Sequence, residues 1–346
     1  MKNNYVAIAK ALGIMLMVIG HSGCPDFIYR IIYMFHMPLF FFCSGLFFKP
    51  ADTIADIQTF VIKKFKGLYF PYVKWSILFL MFHNIFLSLH LYDPSSIGVY
   101  TGSMFVDRLL HIIFTMTGHD QLADPFWFFK QLLLSSIWVL LIMYAVRRIN
   151  SKIKNFVILT LLLLLTMISK FYGWGLPVIW NMSIMFLSSS FFFVGYLYGQ
   201  YEIKSIDLYV GVVAMLVVIL GVYIYDDYLD MLWFNFKNVL LFFVLALIGI
   251  LMILSFSQLF EKTPCRHVLY YIGNHTMIIL VLHLFVFKFV NLLKIVVFQL
   301  PFERISDFKV ITENNELFWP VYFVLGVSLP LAFEWVLCKI RCYLVP

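Results

Sequence analysis

Charge is what this chain has least of. Only 12% of its 346 residues are Asp, Glu, Lys or Arg, against about 25% in a soluble domain. With 63% hydrophobic residues and a mean hydropathy of +0.93, water is excluded as the main solvent. Cysteine pattern is missing too. The five cysteines, Cys24, Cys43, Cys265, Cys338 and Cys342, are odd in number, scattered and without a CxxC pair, which indicates neither a disulfide framework nor a zinc site. A cleavable leader is also lacking. Lys10 interrupts the first apolar stretch, no small-residue cleavage pattern follows it, and the stretch is expected to persist as the first helix. No internal repeat or low-complexity linker divides the chain. The formal net charge of +7 does not indicate nucleic acid, because the basic residues sit in short loops beside apolar spans, where the positive-inside rule accounts for them.

What the chain has is apolar runs. A bilayer core of about 30 Å takes roughly 20 helical residues, and runs of that kind predict helices near 5–22, 27–48, 68–91, 126–146, 155–170, 177–199, 208–225, 237–258, 268–290 and 318–338. The fifth is short and is followed by the turn signals Gly173, Gly175 and Pro177. The fold class is therefore an all-α integral membrane protein of about ten transmembrane helices. It is expected to form one membrane-embedded domain over 1–346, with no separate soluble domain. With the N-terminus in the cytoplasm, most loop cations fall inside, including Lys2, Lys49, Lys63, Lys64, Lys66, Arg147 and Lys204. A smaller set falls outside or at outer helix ends, including Arg30, Lys170, Lys288 and Lys294. That bias, with an even span count, supports both termini in the cytoplasm, and the membrane is expected to be a bacterial-type inner membrane. Acidic residues such as Asp93, Asp120, Asp226 and Asp227 lean outside. The two longest connections, 92–125 and 291–317, also land outside, either as a surface for an extracytoplasmic partner or as amphipathic covers.

An ionisable side chain in hydrocarbon costs roughly 2.5–3.5 kcal/mol on insertion scales, so each one within a span is a functional candidate. These are Lys10, His21, His36, Lys74, His83, Lys130, His275, His283 and Glu334. Lys74, Lys130 and His275 lie near helix ends, where long side chains reach the interface. Glu334 can pair with a nearby cation, and His83 reads as a hydrogen-bonded structural histidine. Lys10 and His21 are eleven residues apart on one helix, about 16 Å along the axis and about 20° from the same direction. Either two polar residues coincide on one face, or a ligand lies along it with its anionic part toward the cytoplasm. His36 lies in the next span beside Pro38, and the short connection between the two helices makes them antiparallel neighbours, so His21 and His36 are expected to approach each other.

The stretch from Lys10-Ala11-Leu12-Gly13-Ile14 through Val18-Ile19-Gly20-His21-Ser22, followed by Phe35-His36-Met37-Pro38-Leu39-Phe40-Phe41-Phe42 and Ser44-Gly45, resembles the opening of the acyltransferase 3 family of integral membrane acyltransferases. Lys63-Lys64-Phe65-Lys66 before Pro71-Tyr72 looks like the family's basic loop, and Phe126-Trp127-Phe128-Phe129 its Trp-Phe helix entry. Phe193, Gly195 and Gly199 resemble a Gly-bearing helix end, and Ile272-Gly273-Asn274-His275-Thr276 through Leu282-His283 the penultimate-helix signature. The common family pattern has Arg where this chain has Lys10. The branch similar to fucose 4-O-acetylases accepts Lys there, at the loss of a bidentate phosphate contact.

The resemblance implies an O-acetyltransferase that moves an acetyl group from cytoplasmic acetyl-CoA to a hydroxyl of an extracytoplasmic or lipid-linked glycan, with no metal. Such transfer needs a base and an oxyanion donor. His21 is expected to be the base, with His36 orienting the donor or stabilising the tetrahedral intermediate. Lys10, Lys63, Lys64 and Lys66 are expected to meet the CoA phosphates, and Trp127, Asn274 and His283 are further candidates. The competing reading is a transporter or flippase for a lipid-linked sugar, with the buried His and Lys as a proton relay. Matching Gly- or Pro-broken helices in two halves, the usual pointer to a transport site, do not stand out.

Overall fold

The computed structural model describes residues 4–118, 120–149, 152–172, 177–201, 206–225, 228–234 and 236–344. The expected turn residues Gly173 and Gly175, and Lys2, Lys204, Asp226 and Asp227 of the charge count, lie outside the described residues. Among the described residues the regular elements are all helical, as lipid requires of a chain whose backbone polar groups must be satisfied within each segment.

The helices are α1 (Asn4–His21), α2 (Asp26–Gly45), α3 (Ile54–Lys64), α4 (Phe70–Ser88), α5 (Gly102–Leu110), α6 (Trp127–Ala145), α7 (Lys152–Tyr172), α8 (Pro177–Gln200), α9 (Leu208–Ile224), α10 (Val239–Glu261), α11 (Arg266–Asn274), α12 (Thr276–Phe298) and α13 (Trp319–Leu344). Among the described residues, nine segments are long and apolar enough to cross a bilayer, and the apolar α9 is shorter, at 17 residues. The chain is thus an all-α, multi-pass membrane protein.

Two compact units interleave along the sequence. The first comprises Met1–Gly13, Arg30–Tyr69 and Phe128–Tyr270, and the second Ile14–Tyr29, Phe70–Trp127 and Tyr271–Pro346.

In the first unit α7 packs on α8 and α10, and α10 on α9. Here α2 and α8 meet backbone to backbone. A Cβ added at Gly45 would strike the Phe192 carbonyl, and one at Gly195 the Phe42 carbonyl. Small residues allow this approach where apolar burial alone cannot draw helices together. Two cations expected in outer loops are instead committed to protein carbonyls. Arg30 donates to the Val222 and Tyr225 carbonyls at the end of α9, satisfying acceptors that every helix end leaves open. Lys170 likewise donates to the carbonyls of Phe234 and Phe236.

The basic stretch at 63–66, expected as a loop, is helical. Thr53 and Asp56 form a capping box that starts α3, and a π-helical turn over Phe65–Tyr69 joins it to α4. Pro71 sits just beyond that turn. Proline lacks an N–H and breaks the regular i→i−4 ladder, so an irregular turn before it is where the helix accommodates the loss.

In the second unit α12 packs against α13, against a 3-10 turn at Gln121–Phe126 and against another at Phe302–Ser306. The expected helix at 268–290 is displaced: the chain breaks at His275, whose Nδ1 donates to the Tyr271 carbonyl at 2.7 Å, and the apolar helix then runs on to Phe298. Both long connections are correspondingly more structured than expected. The first contains α5, a π-helical turn at His111–Thr115 and the 3-10 turn at Gln121–Phe126. It is clasped to α4 by His83, whose Nδ1 lies 2.8 Å from Asp120 Oδ2 and whose Nε2 lies 3.1 Å from the Gly98 carbonyl. The Tyr100 hydroxyl donates to the other Asp120 oxygen at 2.8 Å, and its ring stacks on His83 at 3.4 Å. His83 is therefore hydrogen-bonded through both nitrogens, as a structural histidine should be.

Candidate active site

The C-terminal end of α1 brings His21 to α12. His21 Nδ1 lies 2.9 Å from His283 Nε2, and the rings stack at 5.1 Å with 24° between their planes. His283 is fully buried. Its Nδ1 faces the carbonyl oxygens of Ile279 at 2.9 Å and Leu280 at 3.0 Å, which can only accept, so Nδ1 must carry the proton. In neutral His283 the lone pair is then on Nε2, which accepts from His21 Nδ1–H. By the same logic His21, when neutral, carries its own lone pair on Nε2. A chain of hydrogen bonds beginning at two backbone carbonyls thus sets the tautomer of the partly exposed ring.

Close packing fixes this pair. Phe287, one turn after His283, meets its ring edge to face at 5.7 Å. A Cβ at Gly326 of α13 would come within 2.7 Å of Phe287 and 2.9 Å of Val18 of α1, so this glycine permits α13, α12 and the second-unit end of α1 to close together.

A buried polar network holds the chain that follows His21. Asn315, in the segment before α13, donates through Nδ2 to the carbonyls of Ser22 at 2.9 Å and Gly23 at 2.7 Å. Its Oδ1 accepts from Lys294 Nζ at 3.1 Å, and Lys294 also donates to the Ile311 carbonyl at 2.6 Å. Lys288 donates to the carbonyls of Ile305, Ser306 and Asp307, which occupies all three ammonium protons. Between them Asn291 Oδ1 accepts from the Tyr322 hydroxyl at 2.6 Å. Lys288 and Lys294 were expected in an outer loop or helix end, and both are instead buried in α12. Gly23 has φ +70°, and a Cβ there would lie 2.5 Å from Asn315 Nδ2, so both its conformation and the approach of Asn315 require glycine.

The remaining expected site residues are distributed as follows. His36 is buried in the first unit, with Nδ1 donating to the Ile32 carbonyl at 2.9 Å. Lys10 is half-buried in the first unit. Among the described residues its ammonium makes no hydrogen bond or ion pair, which is costly for a cation in an apolar span. The three lysines around the π-helical turn divide. Lys63 and Lys66 are exposed, whereas Lys64 is partly buried, donates to Ser44 Oγ at 3.1 Å and lies over the Phe60 and Phe192 rings. Trp127 opens α6 directly after the 3-10 turn that packs on α12. Asn274 is exposed at the end of α11, beyond the break at His275 and apart from the His21–His283 pair.

Among the described residues no cluster of His, Cys, Asp or Glu could hold a metal ion. A histidine pair of this kind can pass a proton but supplies no electrophile of its own, which suits chemistry on an already activated carbonyl. No curated protein and no solved structure matches the chain. Residues 3–338 match the acyltransferase domain that defines the acyltransferase 3 family. With nearly the whole sequence covered, and with a multi-pass helical architecture, the chain belongs to the acyltransferase 3 family of membrane acyltransferases.

Proposed function

We propose that this acyltransferase moves an acetyl group from acetyl-CoA to a hydroxyl of a glycan, with His21 as general base. The observation that carries this reading is the His21–His283 hydrogen bond, with His283 in turn oriented by the Ile279 and Leu280 carbonyls. His21 Nε2 takes the acceptor hydroxyl proton as the oxygen attacks the thioester carbonyl. The tetrahedral intermediate collapses, the C–S bond breaks, and the CoA sulfur leaves and recovers a proton. His283 accepts the Nδ1–H of His21 throughout and stabilises the imidazolium formed in the first step, the role an orienting group plays in hydrolytic triads.

The half-buried ammonium of Lys10, without a partner among the described residues, supports a contact with donor phosphate. Lys63 and Lys66 are exposed and available to CoA, whereas Lys64 is engaged with Ser44 and two aromatic faces. We assign His36 to positioning the donor: its Nδ1–H is committed to Ile32, and donating to an oxyanion from Nε2 would require a second proton.

The test is reconstituted protein with labelled acetyl-CoA, scored for CoA release that depends on added glycan and for label on the glycan. Glycan-dependent release supports the reading. Movement of a lipid-linked sugar without consumption of acetyl-CoA would replace it with transport.

A further inference from the structure

Directly beyond His21, the turn between α1 and α2 and the segment before α13 border an open pocket of about 750 Å³, within the size range of ligand sites. All of its lining belongs to the second unit. We propose that this pocket binds a neutral sugar ring of the acyl acceptor and presents its hydroxyls to the His21 end of α1. The inference rests on the acyltransfer reading above and gives its acceptor a place.

The chemistry of the wall selects the class of ligand. Trp319 supplies a half-buried aromatic ring, while Thr312, Asn314 and Glu316 contribute exposed polar side chains around it. A pyranose has a face of C–H bonds and a rim of hydroxyls, and is recognised by an aromatic plane against the one and polar groups around the other. Among the described residues lining the pocket there is one carboxylate and no cation, so the phosphates of a CoA donor find no counter-charge. Four polar side chains, Thr312, Asn314, Asn315 and Glu316, likewise make it unsuited to a lipid chain.

The pocket is also built from below. Asn315 lines it and simultaneously holds the Ser22 and Gly23 carbonyls, which ties the wall to the residues next to His21. Lys288 and Lys294, both buried in α12, fix five backbone or side-chain oxygens between Ile305 and Asn315. Two ammonium groups within an apolar helix are costly, and here they are spent on holding one connecting segment in place. Such support under a polar pocket is what a preorganised binding site requires.

The experiment measures saturation-transfer NMR from the reconstituted protein to methyl glycosides of glucose, galactose, mannose, fucose and rhamnose, with the substituted proteins compared at equal folded concentration. At least one glycoside should bind to the wild type. Its apparent Kd should rise by about tenfold or more, roughly 1.4 kcal/mol, in Trp319→Ala and Glu316→Gln, and stay within about threefold in Trp319→Phe, which keeps the aromatic plane. Absence of saturation transfer to all five glycosides, or equal binding by wild type, Trp319→Ala and Glu316→Gln, overturns the inference. Binding lost in Trp319→Ala by a protein that does not consume acetyl-CoA upholds the pocket and removes the acyltransfer reading, so the two fail separately.

Discussion

His21 Nδ1 donates to His283 Nε2 across 2.9 Å, and His283 has its own Nδ1 proton fixed by carbonyls one turn back in α12. In the proposed mechanism the order of the two rings is therefore not interchangeable: the buried ring orients and the partly exposed ring takes the proton. His21→Ala should lower turnover about 10²–10⁴-fold, the usual contribution of a positioned base. His283→Ala should lower kcat with a smaller change in the KM for acetyl-CoA, and His283→Gln, which can still accept from His21, should recover part of the loss. Rates of CoA release decide this, and an undiminished kcat in His283→Ala removes the orienting role.

Donor affinity should separate the lysines. Lys10→Ala should weaken acetyl-CoA binding about tenfold, equivalent to roughly 1.4 kcal/mol, and Lys63→Ala with Lys66→Ala should weaken it in a salt-dependent way, because exposed charges are screened. Lys64→Ala should instead lower the melting temperature, since it breaks the contact with Ser44 and two rings. Calorimetric titration with acetyl-CoA at two salt concentrations measures the first pair, and unchanged affinity in all of them defeats the phosphate assignment.

The glycines predict opposite outcomes by position. Gly45→Leu or Gly195→Leu should abolish accumulation of folded protein, because the new side chain meets backbone rather than a movable group. Gly67, in the π-helical turn, has open space around it. Gly67→Ala should be neutral or stabilising by up to about 1 kcal/mol. Size-exclusion profiles and melting curves in detergent would show the contrast.

Alkaline pH should act through Tyr100. Burial first, and the Asp120 carboxylate next, push its phenol up to about 12. The folded state therefore keeps a proton that the unfolded state releases near pH 10. Stability from this group is fully present below pH 10 and is lost as pH rises toward 12. Melting temperature should fall more steeply over that interval in the wild type than in Tyr100→Phe, which should start lower at neutral pH through loss of the bond to Asp120. Parallel slopes would show that the phenol does not report on folding.

The apolar runs made the helices legible because lipid imposes one solution on the backbone, and Lys10, His21, His36 and His283 stood out because ionisable groups are rare in such runs. The partnership of His21 with His283 was not legible, since nothing in a sequence says which of several buried histidines meet. Asn291 and Lys294 were passed over because the helix expected at 268–290 ends too early, and Lys288 because it sits at that helix's outer end among the loop charges; the break falls instead at His275, and α12 continues beyond Val290. Spaced three apart, these residues share a face of α12, a pattern visible once the helix is extended. Arg30, Lys170, Lys288 and Lys294 also counted as outer charges, although each is engaged by backbone carbonyls. Charge counts for orientation assume cations that interact with the membrane potential and lipid, and a cation spent on backbone carbonyls within the protein does not belong in them.

The π-helical turn at Phe65–Tyr69 has a consequence for insertions and deletions. A regular turn advances about 100° per residue, so removing one residue from α3 or α4 rotates everything before or after the cut away from its contacts. Within the wide turn, the same deletion can be absorbed by tightening to ordinary α geometry with the phase of both flanks kept. Single-residue deletions scanned from 54 to 88 should therefore have one tolerant window, at the place where the helix already carries slack.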